Sequence, residues 1–235
     1  MLKGFALKPP FFEIGPKSYL FGDEVLELVL AADAAAKKYD VDIIFTTPVV
    51  DIRRVAEATE RIFVFAPHMD PIRPGRGLAD TLPESLAAAG AKGVMLNHCE
   101  KPLSLTALAQ TIRRADEVGL ATIVCTDTTA ESAAVAELRP NIIVAEPTEL
   151  IGTGKTSDLD YVKAAIQAVK RIDPEILVLQ GAGISCGEDV YRVIHAGAEA
   201  TGSSSGVVKA KDRAAMVDEM IGEVRRAWDD RLAGR

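Results

Sequence analysis

The chain has 235 residues, 48% of them apolar, and a formal net charge of -7. The apolar share supplies a sizeable core, while the acidic balance and the lack of a clustered Lys/Arg stripe argue against a nucleic-acid surface, which is held mainly through phosphates. Cys99, Cys125 and Cys186 show no metal-like pairing or disulfide framework and fit a reduced cytoplasm; the opening MLKGFALKPPFF is unlike a signal peptide, and no apolar run approaches a membrane span.

In chain order the predicted strands are FFEIGPK from Phe11, VDIIFTT from Val41, RIFVFA from Arg61, KGVMLNH from Lys92, ATIVCTD from Ala121, NIIVAE from Asn141, EILVLQG from Glu175 and AEATGSS from Ala198. Between them lie helical stretches such as GDEVLELVLAADAAAKKY and SLTALAQTIRRADEVG, whose apolar residues recur every three or four positions. Continuous apolar strands joined by helical crossovers imply a parallel sheet covered on both faces. Eight such units predict a closed (β/α)8 barrel in one domain over residues 1–235. A doubly wound open sheet is the alternative, but it calls for a Gly-rich phosphate loop after the first strand, where this chain has GPKSYLFG.

Barrel active sites stand at the C-terminal strand ends. Those ends present Lys17, Asn97, His98, Asp127, Glu146, Gly181, Gly183 and the run Ser203, Ser204, Ser205, Gly206. Glu146 is notable because it closes the apolar run Ile142–Ala145 and is followed by Pro147 and a glycine-spaced segment. The Gly- and Ser-rich turns after the last two strands offer backbone N–H groups to a phosphate. A carboxylate removes a proton beside a carbonyl, an imidazole polarises the oxygens and a lysine balances charge. The reaction class that follows is aldose–ketose isomerisation, with a small phosphorylated substrate and no cofactor or metal.

The strings NHCE (Asn97 to Glu100), AEPTELIGTG (Ala145 to Gly154), GAGISCGEDV (Gly181 to Val190) and SGVVKAKD (Ser205 to Asp212) resemble triosephosphate isomerase in its shorter, archaeal-like form. The resemblance runs in register from about Phe63 to Asp212. It implies interconversion of dihydroxyacetone phosphate and glyceraldehyde 3-phosphate, with Glu146 as base, His98 as electrophile and Lys17 as the first-strand lysine. Asn97 and Glu100 would support them, Gly152, Gly183, Ser204 and Ser205 would contact phosphate, and Pro147 to Gly154 would form a lid. It also implies a homo-oligomer, dimeric or tetrameric.

The first strand departs from the family pattern of Asn, any residue, Lys: here stand Gly15, Pro16 and Lys17. Glu13 falls on the same strand face as Gly15, where the family has a small residue. An inward carboxylate needs a partner, so Glu13 is expected to reach Lys17 through the space Gly15 leaves, both lining the substrate site. Thr201 and Ser203 replace apolar residues of the eighth strand, and together these changes would enlarge the pocket. An isomerase of a C4 ketose phosphate (erythrulose phosphate) and a non-catalytic sugar-phosphate-binding paralogue are the alternatives; a Schiff-base aldolase would need another inward lysine. Cys99 and Cys125 are expected to be buried, Cys186 to start a helix, Asp127 to cap one, and His68 and His195 to have no role in the site.

Overall fold

The computed structural model describes residues 1–151, 153 and 158–235, and Gly152 therefore lies outside the described residues. Eight parallel strands, β1 (Phe11–Ile14), β2 (Asp42–Thr46), β3 (Ile62–Ala66), β4 (Gly93–Leu96), β5 (Ala121–Thr126), β6 (Ile142–Ala145), β7 (Leu177–Gln180) and β8 (Ala200–Ser203), follow one another round a ring. β1 pairs with both β2 and β8, Glu13 lying opposite Ile44 and Gly202, so the sheet has no free edge and the open-sheet alternative is excluded.

Strand alternation divides the side chains into two cores. Phe11, Ile44, Phe65, Ile123, Ile142 and Leu179 fill the barrel. Residues one position away, such as Phe12, Ile43, Val64, Val124 and Val178, face the helices. Gly93 is required by this packing: a Cβ there would stand 2.3 Å from the ring of its register partner Phe65.

The helices are α1 (Asp23–Tyr39), α2 (Ile52–Ala58), α3 (Pro83–Ala88), α4 (Leu105–Val118), α5 (Thr129–Ala136), α6 (Leu159–Ile172), α7 (Gly187–His195), α8 (Ser205–Val208) and α9 (Arg213–Leu232). Their ends obey local chemistry. Ser104 accepts the Ala107 N–H at the start of α4, and Gly119 ends it at φ 77°. Thr128 and Glu131 form a reciprocal capping box on α5. Thr128 therefore holds the capping position expected for Asp127, whose carboxylate turns to the neighbouring loop and accepts the Thr148 N–H at 2.6 Å. Cys186 does start α7. α9 packs on α7 and α1 and completes the outer layer beside β1.

Candidate active site

The strands all deliver their C-terminal ends to one mouth, and a cavity of about 650 Å³ opens there. Its lining includes Lys17, His98, Glu146, Gly183, Ser204 and Ser205, with Glu13 and Gly15 from β1. Asn97 and Asp127 are not in the lining. Asn97 works from behind: its amide donates to the Cys125 carbonyl (3.0 Å) and its oxygen accepts the Leu103 N–H (2.9 Å), fixing the loop that presents His98. Lys17, Asn97 and Ala182, with φ of 49°, 57° and 68°, are non-glycine residues in the left-handed region at the ends of β1, β4 and β7. Such backbone persists only where its surroundings over-determine it, and here it turns the chain out of each strand at the cavity.

Glu146 follows β6 directly. One carboxylate oxygen accepts the Ala182 N–H at 3.0 Å. Burial pushes its pKa above the usual carboxylate range, while Lys17 and the Ala182 N–H pull it back. Gly181 makes the room: a Cβ there would stand 3.0 Å from both Cβ and Cδ of Glu146.

His98 Nδ1 accepts the Glu100 backbone N–H at 3.1 Å, which leaves the ring's single proton on Nε2. Burial, followed by the charge of Lys17, lowers its pKa, with Glu100 opposing. The ring is thus a neutral donor at neutral pH.

Lys17 forms an ion pair with Glu100, Nζ to Oε1 at 3.3 Å. It does not pair with Glu13, contrary to the sequence-based expectation: the backbone is left-handed at Lys17 (φ 49°) and the ammonium reaches Glu100 instead. Glu13 stays below, 9% exposed, with Oε1 lacking a hydrogen-bond partner among the described residues. Gly15 and Gly202 make space for it: Cβ atoms there would approach its two carboxyl oxygens to 3.2 Å each.

The eighth strand splits. Thr201 faces away from the cavity and donates to the Gln180 carbonyl at 2.7 Å, so it does not enlarge the pocket. Ser203 lines the mouth and anchors the loop after β7 by donating to the Ile184 carbonyl at 2.8 Å. The Ser204 hydroxyl donates to the Gly15 carbonyl at 2.6 Å, tying β8 to β1. Cys99 is exposed instead of buried, since the left-handed turn at Asn97 lifts it onto the rim, whereas Cys125 is buried in the barrel.

Sequence reasoning missed Thr46 and His68, both in the lining; His68 Nε2 lies 3.2 Å from Asp70. The signal was present, because both follow directly from reading the ends of β2 and β3. His195 lies elsewhere, stacked on Tyr191 at 5.4 Å.

Among the described residues no group of three or more His, Cys, Asp or Glu side chains is arranged to hold a metal ion. No helix among them is long and apolar enough to cross a membrane.

The fold and the site define a (β/α)8-barrel protein with a carboxylate, an imidazole, a lysine and two small-residue loops round one cavity at the strand ends. The family described as triosephosphate isomerase matches residues 16–220. Proteins named triosephosphate isomerase from Sulfolobus acidocaldarius and Methanothermus fervidus are 35% and 37% identical, over 96% and 86% of this chain and 99% and 92% of theirs. That from Methanocaldococcus jannaschii is 38% identical over 85% of this chain and 92% of its own. The chain belongs to the triosephosphate isomerase family. The comparisons give no support to the tetrulose phosphate or non-catalytic alternatives.

Proposed function

We propose that this protein interconverts dihydroxyacetone phosphate and glyceraldehyde 3-phosphate. The observation that carries the reading is the convergence of Glu146, neutral His98 and Lys17 on one cavity in a chain of this family. Glu146 takes a proton from the carbon beside the carbonyl, and the electron pair moves onto the carbonyl oxygen to give an enediolate. His98 Nε2–H donates to the oxygens that bear this charge, and Lys17, held by Glu100, balances it. The proton of the adjacent hydroxyl passes to the former carbonyl oxygen and Glu146 returns its proton to the neighbouring carbon, so isomerisation needs no net proton and no redox partner. The raised pKa strengthens Glu146 as a base. Triosephosphate isomerase is itself the standard illustration of such paired tuning.

The phosphate belongs at Gly183, Ser204 and Ser205, the small-residue loops after β7 and β8. Gly152 completes this set as an expectation from the sequence. We place the protein in the cytoplasm as a homo-oligomer. Phe21, Val50 and Leu78, large apolar residues exposed in the segments after β1, β2 and β3, support self-association, and light scattering would give its order.

The test is turnover of both triose phosphates by the purified protein and by Glu146→Gln. Removing a positioned base costs about 10² to 10⁴ in rate. The variant should fall by that factor while still binding inorganic phosphate; a variant with near-normal kcat would refute the assignment.

A further inference from the structure

Glu13 is a carboxyl group for which the proton transfer just described has no use. It lies two residues below Gly15 on the inward face of β1, on the cavity floor, 9% exposed. Among the described residues no ion pair reaches it and Oε1 has no hydrogen-bond partner; the buried Thr46 hydroxyl stands beside it without hydrogen-bond geometry, yet near enough to favour its charge. A buried carboxylate without a cation is costly, and a barrel could hold an apolar residue here as easily. Instead Gly15, directly after β1, carries no side chain over the carboxyl, where a Cβ would stand 3.2 Å from Oε1, and the opposite Gly202 of β8 leaves room for the Glu13 backbone and Cβ as well as Oε2.

We infer that Glu13, as a neutral carboxylic acid, donates a hydrogen bond to a carbon-chain oxygen of the bound triose phosphate and so positions that chain on the cavity floor. The inference rests on the isomerase reading for the identity of the ligand. Among the described residues two charged groups bear on the protonation of Glu13, Glu146 from the end of β6 and Lys17 from the loop after β1, and the buried Cys125 thiol of β5 lies near enough to feel its charge. Thr46 of β2 and Gly202 of β8 add no charge. Burial is the largest influence and raises the Glu13 pKa to about 7; Glu146 adds to it, while the Thr46 hydroxyl and Lys17 oppose it. A carboxyl kept neutral in this way is a donor, whereas its ionised form would repel an enediolate.

Calorimetric titration with dihydroxyacetone phosphate at pH 6 and pH 8, using wild type, Glu13→Gln and Glu13→Leu, tests this. The amide is neutral at both pH values, so the affinity of Glu13→Gln relative to wild type should rise about tenfold between them. Glu13→Leu should bind dihydroxyacetone phosphate about tenfold more weakly than wild type at pH 6, yet bind inorganic phosphate equally well. A Gln-to-wild-type ratio that does not change with pH, or a Leu variant that matches wild type, would overturn the inference. Isomerase turnover is read separately: the predicted binding pattern without turnover would refute the isomerase reading and leave the role of Glu13 standing.

Discussion

Glu146 and Glu13 are two carboxyl groups in one cavity with opposite duties, and their surroundings separate them. At Glu146 burial raises the pKa, but the charge of Lys17 and the Ala182 N–H oppose that rise and favour the anion that accepts a proton. Glu13 has burial against it and, among the described residues, no cation in contact. This makes a stability prediction with a definite sign. Between pH 4.5, the ordinary value, and about 7, the folded state holds a proton on Glu13 that the unfolded chain has lost. Stability therefore falls as pH rises through that window and is level above it with respect to this group. Glu13→Gln removes the dependence. Its unfolding free energy relative to wild type should be greater at pH 8 than at pH 4.5 by on the order of 3 kcal/mol, read from urea titrations at the two pH values. An equal difference at both would place the carboxyl in water.

At the level of elements, strand ends and the loops behind them set the aim of each group. The residue after β7 must lack a Cβ, because one at Gly181 would stand 3.0 Å from the Glu146 side chain. Gly181→Ala should push the base off its position and lower kcat by about 10²-fold, with an overpacking cost of about 1–3 kcal/mol in stability. Steady-state kinetics and thermal unfolding separate the two effects, and a variant with full activity would show that Glu146 has slack. Asp127 acts on the next loop: its carboxylate holds the Thr148 N–H at 2.6 Å, and its own carbonyl accepts the Tyr161 hydroxyl at 2.9 Å. Asp127→Ala should free the start of the segment behind Glu146 and shift kcat and KM together, on the order of tenfold. A change in melting temperature with unaltered kinetics would make the contact purely structural.

The elements themselves were readable because parallel strands buried on both faces leave continuous apolar runs, and IIVA and IFVFA are such runs. The stretch SLTALAQTIRRADEVG was readable as a helix from its apolar spacing, and the structure adds that Ser104 and Gly119 cap its two ends. Asp127 was misread because two adjacent residues, Asp127 and Thr128, both suit a cap, and only geometry chooses between them.

For the whole molecule, closure places eight separate strand ends round one mouth, which is why Lys17, His98 and Glu146 were legible before any contact was known. Partners across the mouth were not. That Lys17 turns to Glu100 and not to Glu13 depends on the left-handed backbone at Lys17, which no local sequence pattern declares. The orientation of Thr201 was legible from alternation with Gly202, which faces Glu13, and the pocket argument had overlooked it. The central claim is that Glu146 transfers a substrate proton at a carbon next to a carbonyl. Incubation of dihydroxyacetone phosphate with the protein in deuterium oxide, followed by proton NMR, measures that step directly. Wild type should produce glyceraldehyde 3-phosphate and incorporate solvent deuterium into both triose phosphates, and Glu146→Gln should slow this by about 10² to 10⁴. Absence of deuterium incorporation by the wild-type protein, or an undiminished rate in the variant, would contradict the account.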